Sequence, residues 1–232
     1  NEPMGKHTTF HIGGPAEIWA EPQETQGLEG LLKIAQEERL PVTVVGGGAN
    51  LLVRDEGIPG LVVHLASPGF QKFERSDDGW RVGAGLPLEG LIRRAQEAGL
   101  TGVEFLAGVP GRVGGAVRMN AGTHDERGEL HSMRDIIKEV TVLDRSGRRR
   151  ALSNEEVGFA YRSARLNDQI VVEALLTLAP DDPQAIADRV GRNWAFKRGT
   201  QDWSAPSVGC IFKNPEAKSA GYGGITMVVR AT

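Results

Sequence analysis

The amino-acid sequence predicts an α+β fold, and three observations carry that expectation. A β-α-β opening lies between residues 16 and 45, where an alternating segment, an amphipathic stretch and a β-branched run follow one another. Beyond it, strand-like runs and single helices succeed each other with turn residues between them. Finally, the 31 glycines gather in runs, which marks places where backbone must turn sharply or approach a ligand closely.

Taken in order, Ala16-Glu17-Ile18-Trp19-Ala20 alternates as a strand does, and Leu28, Leu31, Leu32 and Ala35 recur at helical spacing, so a helix is predicted over Glu24 to Arg39. The β-branched run Val42 to Val45, bounded by Pro41 and Gly46-Gly47-Gly48, predicts a buried strand ending in a tight loop. Leu51 to Asp55 is too short for a helix, and Leu61 to Leu65 predicts the next strand. Composition shifts around Ala66 to Gly69, where a second unit is expected to begin with a meander through Trp80 to Gly85. Leu88, Leu91, Ile92, Ala95 and Ala98 mark a helix stopped by Gly99. The small-residue segment Gly108 to Gly122 reads as a compact loop. Strands over Glu139 to Leu143 and Ile170 to Leu178 follow, and Asp182-Pro183 opens a last helix reaching about Lys197.

With 232 residues and 40% hydrophobic content, the chain can bury a substantial core. Its 27 basic and 30 acidic residues leave a formal charge of −3, which gives no general attraction for nucleic acid or an anionic membrane, so any anionic ligand must be held locally. No apolar h-region occupies Asn1 to Phe10 and no stretch approaches the length of a spanning helix; a soluble protein with no membrane or nucleic-acid partner is expected. The single Cys210 excludes an intramolecular disulfide and a cysteine-based zinc cluster, and the five histidines lie apart, so no metal is expected and a cytoplasmic setting fits.

The loop Gly46-Gly47-Gly48-Ala49-Asn50 can aim several backbone N–H groups into one concavity that a pyrophosphate can enter, because no Cβ atoms stand in the way. It is not the Rossmann fingerprint, since the third glycine would fall at Leu51, and it lacks the Gly-Lys-Ser/Thr of a P-loop. Taken alone it reads as a tight strand-to-strand turn before it reads as an anion site. Gly108 to Gly122 adds seven glycines or alanines around Pro110 and Asn120, a wall against which a flat flavin ring could lie, or simply a loop packed on a sheet.

Five segments in order resemble the UDP-N-acetylenolpyruvoylglucosamine reductase family: Thr8-Thr9-Phe10-His11-Ile12-Gly13-Gly14, Gly46 to Asp55, Glu104 to Gly122, Phe159-Ala160-Tyr161-Arg162-Ser163 and Gly209-Cys210-Ile211-Phe212-Lys213-Asn214-Pro215. The resemblance implies the α+β, FAD-binding two-subdomain fold that this family shares with the vanillyl-alcohol oxidases, with subdomains over 1–66 and 67–179 and a partial substrate-binding domain over 180–232. It implies that Gly46, Gly47, Gly48, Ala49, Asn50 and Leu51 bind the FAD pyrophosphate, and that Val109, Pro110, Gly111, Gly114, Gly115, Asn120, Ala121 and Gly122 line the flavin. Thr8 and the glycines after it support the same cleft.

The implied reaction carries hydride from NADPH to FAD and on to the enolpyruvyl group of UDP-N-acetylenolpyruvoylglucosamine, giving UDP-N-acetylmuramate for peptidoglycan. Such a site needs a fixed cation near the substrate carboxylate and a proton donor for the adjacent carbon. Arg162, matching the family's Tyr-Arg-x-Ser arginine, suits the first need. Cys210 stands where many members carry serine, and a thiol is a stronger acid than an aliphatic alcohol; without that motif it would read as a small core hydrophobe. Tyr161, Lys213 and Asn214 are the implied substrate ligands. The family's third catalytic group, a glutamate, lies beyond the last motif, and residues 222–232 match nothing expected there, so weak turnover is the expectation. Two other readings share the cleft: a flavin-binding remnant, and a sugar or alcohol oxidase of the same broad fold.

Overall fold

The computed structural model describes residues 1–125, 127–201, 203–210, 212 and 213. Two sheets organise them. The first has the order β1-β2-β4-β3 and is built from β1 (Glu2–Pro3), β2 (Pro15–Ala20), β3 (Val42–Val45) and β4 (Ile58–His64), with α1 (Thr25–Glu37) crossing between β2 and β3. β4 runs parallel to both β2 and β3, while β1 is antiparallel to β2. Strand β4 is central, and its side chains alternate between two apolar environments: Leu61 and Val63 join Leu28, Leu32 and Ala35 of α1 in the main core, while Val62 joins Met4, Ala16, Val45 and Val53 in a smaller cluster.

The first helix stops two residues short of the predicted end. Arg39 takes a left-handed φ of 55°, and the N–H groups of Arg39 and Leu40 reach the carbonyls of Gln36 and Ala35 at 3.3 and 2.8 Å, closing the terminal turn without a glycine. The predicted burial of the Val42–Val45 strand also needs correction. β3 lies at the sheet edge, only Val45 is buried, and Val44 is exposed. A continuous β-branched run cannot by itself separate an edge strand from a central one.

The second sheet is wholly antiparallel, in the order β11-β10-β12-β6-β5, and contains β5 (Phe73–Ser76), β6 (Gly79–Gly83), β10 (Ile137–Leu143), β11 (Arg149–Ser153) and β12 (Ile170–Leu176). Between β6 and β10 the chain forms α2 (Leu88–Glu97), the short strand β7 (Leu100–Thr101), α3 (Val113–Arg118), the ribbon β8 (Gly122–His124) and β9 (Leu130–Ser132), and the turn-length α4 (Met133–Ile136). α2 buries Leu88, Leu91, Ile92 and Ala95 and ends where predicted, with Gly99 at φ 64°. α5 (Asn154–Val157) follows β11, and β13 (Ala179–Pro180) pairs with β7.

Part of the segment read as a loop is helical. α3 forms despite Gly114 and Gly115, because a side chain at Gly114 would stand 3.0 Å from the Cβ of Ala84; only glycine lets the helix lie this close to the end of β6. Propensity disfavours such a helix by about 1 kcal/mol per glycine; its burial of Val113, Ala116 and Val117 offsets that.

The last helix, α6 (Pro183–Thr200), opens as predicted. Asp182 accepts from the Ala185 N–H at 2.9 Å and Pro183 occupies the first turn. Among the described residues, no helix is long and apolar enough to cross a membrane.

Candidate functional site

The two glycine loops, more than sixty residues apart in sequence, meet. A side chain on Gly47 would come within 2.9 Å of the Gly111 Cα, and one on Gly111 would stand 3.8 Å from the Ala49 Cβ. The first loop leaves β3 and the second leads into α3, so the contact lies between an edge of the parallel sheet and the helix resting on the antiparallel one. Gly48 turns the first loop with φ 62°, and a Cβ there would collide with the His7 carbonyl. The main-chain carbonyl of Gly48 accepts from the Thr9 N–H at 3.3 Å.

Thr9 links a third segment to this pair. Its hydroxyl donates to the Ser207 carbonyl at 2.6 Å, tying the N-terminal loop to the turn that precedes Cys210. Within that turn the Ser207 hydroxyl accepts from the Gly209 N–H at 3.0 Å. Cys210 is exposed, which removes the reading of it as a small core hydrophobe. Lys213 is exposed too, and Asn214 lies outside the described residues.

Arg112 stands at the same junction, immediately after Gly111. Its Nη1 donates to the Gly85 carbonyl at 2.5 Å, whereas its Nε is buried with no hydrogen-bond partner among the described residues. Burial pulls the guanidinium below its ordinary pKa, with the Glu21 charge opposing. A buried, unpaired cationic N–H is unfavourable unless an acceptor reaches it. Gly115, one turn into α3, faces open space: a Cβ there would meet nothing within 4 Å. An unfilled donor, two loops stripped of side chains and an open glycine face fit a dinucleotide whose pyrophosphate and ring need close backbone approach.

The glycines of the second run divide by role. Gly114 is required by packing on Ala84, and Gly122 by the β8–β9 ribbon, where a Cβ would stand 2.6 Å from the His131 carbonyl. Asn120 is buried and has a left-handed φ of 42°; its Nδ2 donates to the Ala160 carbonyl at 3.1 Å and its Oδ1 accepts from the Arg134 N–H at 3.0 Å. Both ends of that amide serve the chain itself, fixing the turn that carries Arg162. Val109 and Ala121 are half-buried against the main core and Pro110 is exposed.

Tyr161 and Arg162 occupy the tip of a turn closed by reciprocal Ala160–Ser163 hydrogen bonds of 3.0 and 3.2 Å. Arg162 has φ 52° and lies 5.4 Å over the Tyr161 ring. The fold adds a residue that no sequence signal selects. Lys197 of α6 is half-buried against the glycine loop, its Cβ and Cγ each 3.1 Å from where a Gly108 side chain would begin, and its Nζ contacts the Thr123 hydroxyl of β8. Burial pulls the Lys197 ammonium down and the Arg162 charge pushes it further in the same direction. In sequence, Lys197 is one basic residue in the last turn of a polar helix; only the fold shows that it points inward.

Asp125, Glu129 and His131 bring ligand atoms within 4.8 Å of one another at the β8–β9 turn, a grouping that histidine spacing alone does not reveal. Asp125 Oδ1 already accepts from the N–H groups of Arg127 and Glu129, each at 2.9 Å, so the cluster acts as a turn closure.

A model of the FAD binding domain matches residues 16–153, which covers most of both sheets and both glycine loops. The fold therefore defines an FAD-binding flavoprotein, of a type whose solved members include 6-hydroxy-D-nicotine oxidase from Arthrobacter nicotinovorans, at TM-score 0.57 and 21% identity over 78% of this chain and 39% of that one. Nearer relatives narrow the class. The UDP-N-acetylenolpyruvylglucosamine reductase structure from Thermus caldophilus superposes with TM-score 0.78 at 37% identity, covering 94% of this chain and 76% of that one. The UDP-N-acetylenolpyruvoylglucosamine reductases of Halalkalibacterium halodurans and Bacillus subtilis are 39% and 36% identical, each over 95% of this chain and 72% of theirs. The chain belongs to the UDP-N-acetylenolpyruvoylglucosamine reductase family.

Proposed function

We propose that this protein is an FAD-dependent reductase that takes hydride from NADPH and delivers it to UDP-N-acetylenolpyruvoylglucosamine, forming UDP-N-acetylmuramate in the cytoplasm for peptidoglycan synthesis. The observation that carries the reading is the meeting of two glycine loops, Gly47 against Gly111, beside the unpaired Arg112 Nε, in a chain of this family. FAD bound there supplies the hydride relay between the two substrates. The chain's own residues do the rest. Backbone N–H groups of residues 46–51 and the Arg112 guanidinium hold the pyrophosphate, and the open face at Gly115 receives the ring.

Hydride addition to the methylene carbon leaves enolate character beside the substrate carboxylate. Arg162 is the cation that stabilises it, its planar guanidinium suited to bracing a carboxylate. Cys210 donates the proton that completes the product; its exposed thiol sits on a turn that Thr9 anchors to the Gly48 loop. Tyr161, Lys213 and Asn214 are assigned to the substrate, and the proposed subdomains run over 1–66 and 67–179, with a substrate-binding part from 180 onward.

Rapid mixing of the FAD-loaded chain first with NADPH and then with the enolpyruvyl substrate tests the reading. Bleaching of the flavin absorbance by NADPH followed by its return with substrate is expected. Bleaching without substrate-dependent return would overturn the assigned reaction while leaving FAD binding in place.

A further inference from the structure

Two cations stand on one corner of the fold: the Lys197 ammonium rests on Thr123, and the turn that carries Arg162 is held by Asn120, three residues before Thr123. Arg162 makes no hydrogen bond or ion pair among the described residues; its recorded partner is the face of Tyr161. The ammonium of Lys197 has one hydrogen-bond partner, the Thr123 hydroxyl, and no carboxylate within ion-pair distance among the described residues. That leaves two of its three donors unused. Two other part-exposed arginines, by contrast, are ion-paired: Arg189 at 31% exposure is held by Glu104 and Asp181, and Arg81 by Glu173.

The arrangement is also held rigidly. Asn120 fixes the Ala160 carbonyl and hence the turn bearing Arg162. Gly108, with φ 76°, lets the Lys197 stem pass against the loop, so that the ammonium is directed to β8 and not to solvent. Like charges held together and partly withdrawn from water repel one another, and the same low-dielectric setting makes a bound anion more strongly attracted.

We propose that Lys197 is a second substrate-binding cation, which with Arg162 clamps the carboxylate of the enolpyruvyl substrate. The carboxylate is favoured over the diphosphate because Arg162, the partner cation, is the group assigned to the reacting end. Thr123 acts as the positioning residue, its hydroxyl accepting from the ammonium. The proposal rests on the reaction assigned above.

The test compares two ligands that differ in the enolpyruvyl group, the part of the substrate that bears the carboxylate. UDP-N-acetylenolpyruvoylglucosamine carries the carboxylate, and UDP-N-acetylglucosamine lacks it. Calorimetric titration of the FAD-loaded chain should show Lys197→Met weakening the first ligand at least tenfold and the second less than twofold, with Lys197→Arg recovering most of the loss. A thermal midpoint and flavin spectrum matching the unaltered chain establish that Lys197→Met is folded; should it not fold, Lys197→Arg and Thr123→Val carry the same comparison, Thr123→Val being expected to weaken the carboxylate ligand alone. Equal losses for both ligands, or no loss for either, overturn the role of Lys197 and leave the reaction standing. An unaltered chain that binds UDP-N-acetylglucosamine as tightly as the enolpyruvyl substrate overturns both.

Discussion

Glycine residues in the cleft fall into two kinds, and substitution separates them by sign. Gly48 holds a left-handed φ of 62° with the His7 carbonyl where a Cβ would go, so Gly48→Ala should destabilise the fold by roughly 1–3 kcal/mol from backbone strain, with steric displacement in addition, and should loosen FAD. Gly115 is helical with open space in front of it. There, Gly115→Ala should raise the melting temperature of the FAD-free chain, since alanine favours a helix by up to about 1 kcal/mol, yet weaken FAD because the new methyl occupies the surface where the ring lies. A Gly115→Ala chain with unchanged FAD affinity would place the ring elsewhere. Arg112→Gln should speed FAD release about tenfold, read from recovery of flavin fluorescence, because the phosphate loses the charge-assisted donor that the otherwise unpartnered guanidinium N–H offers it. For Cys210→Ala, flavin reduction by NADPH should hold its rate while turnover with the enolpyruvyl substrate slows; equal loss in both half-reactions would remove Cys210 from proton donation. The glycines stand out in sequence because they cluster, and Cys210 because the Gly209 to Pro215 segment around it resembles the family's. Arg112 and Lys197 do not, since a basic residue in a loop or on a polar helix face looks the same whether it faces water or a cleft.

At the scale of elements, α6 shows which signals a sequence carries and which it does not. Its start was legible in Asp182-Pro183, a local cap whose hydrogen bond spans three residues. Its docking was not, because the helix has no broad apolar stripe and is held instead by a polar network. Arg189 Nε reaches Glu104 Oε1 at 3.0 Å, Thr101 donates to the same oxygen at 2.6 Å, the Gly102 N–H donates to Oε2 at 2.6 Å, and Asn193 Nδ2 donates to the Glu104 carbonyl at 3.0 Å. Arg189 and Asn193 lie 85 and 89 positions from Glu104, beyond the reach of any periodicity. α3 was hidden for the opposite reason: its glycines read as a loop, and only the fold shows Gly114 packed on Ala84 and Gly115 facing open space. Glu104 is 7% exposed in its side chain, so Glu104→Ala, which leaves Arg189 with Asp181 alone and removes the acceptor of Thr101 and the Gly102 N–H, should destabilise by about 1–3 kcal/mol in chemical denaturation. Burial raises the Glu104 pKa, but the bonds from Thr101, Gly102 and Arg189 more than reverse it and leave the carboxyl below its ordinary value. Its stabilising effect is therefore complete above about pH 4.3, the unfolded value, and is lost as pH falls through the lower folded value. Glu104→Gln should flatten that acid-side slope; an unchanged slope would show that another carboxylate dominates it.

Across the whole molecule, the two sheets share more than a ligand. Leu61 and Val63 of the parallel sheet and Val82, Val140, Val172 and Ala174 of the antiparallel one belong to a single buried cluster, which also holds Leu65 and Phe70. A continuous core of this kind predicts that the FAD-free chain unfolds both sheets in one cooperative transition. FAD contributes by mass action on that same equilibrium: at a free concentration one hundred times its dissociation constant it should add about 2.7 kcal/mol, whatever the details of its contacts. Because the Gly47 and Gly111 loops that would hold it belong to different sheets, the added protection should be distributed. Hydrogen exchange in the presence of FAD should slow at the amides of both β4 and β12, and by similar factors. Slowing confined to β4 would mean that the parallel sheet binds the cofactor alone and opens independently of its neighbour, and in that case the loop contact at Gly111 would be a packing contact and not one wall of a shared cleft.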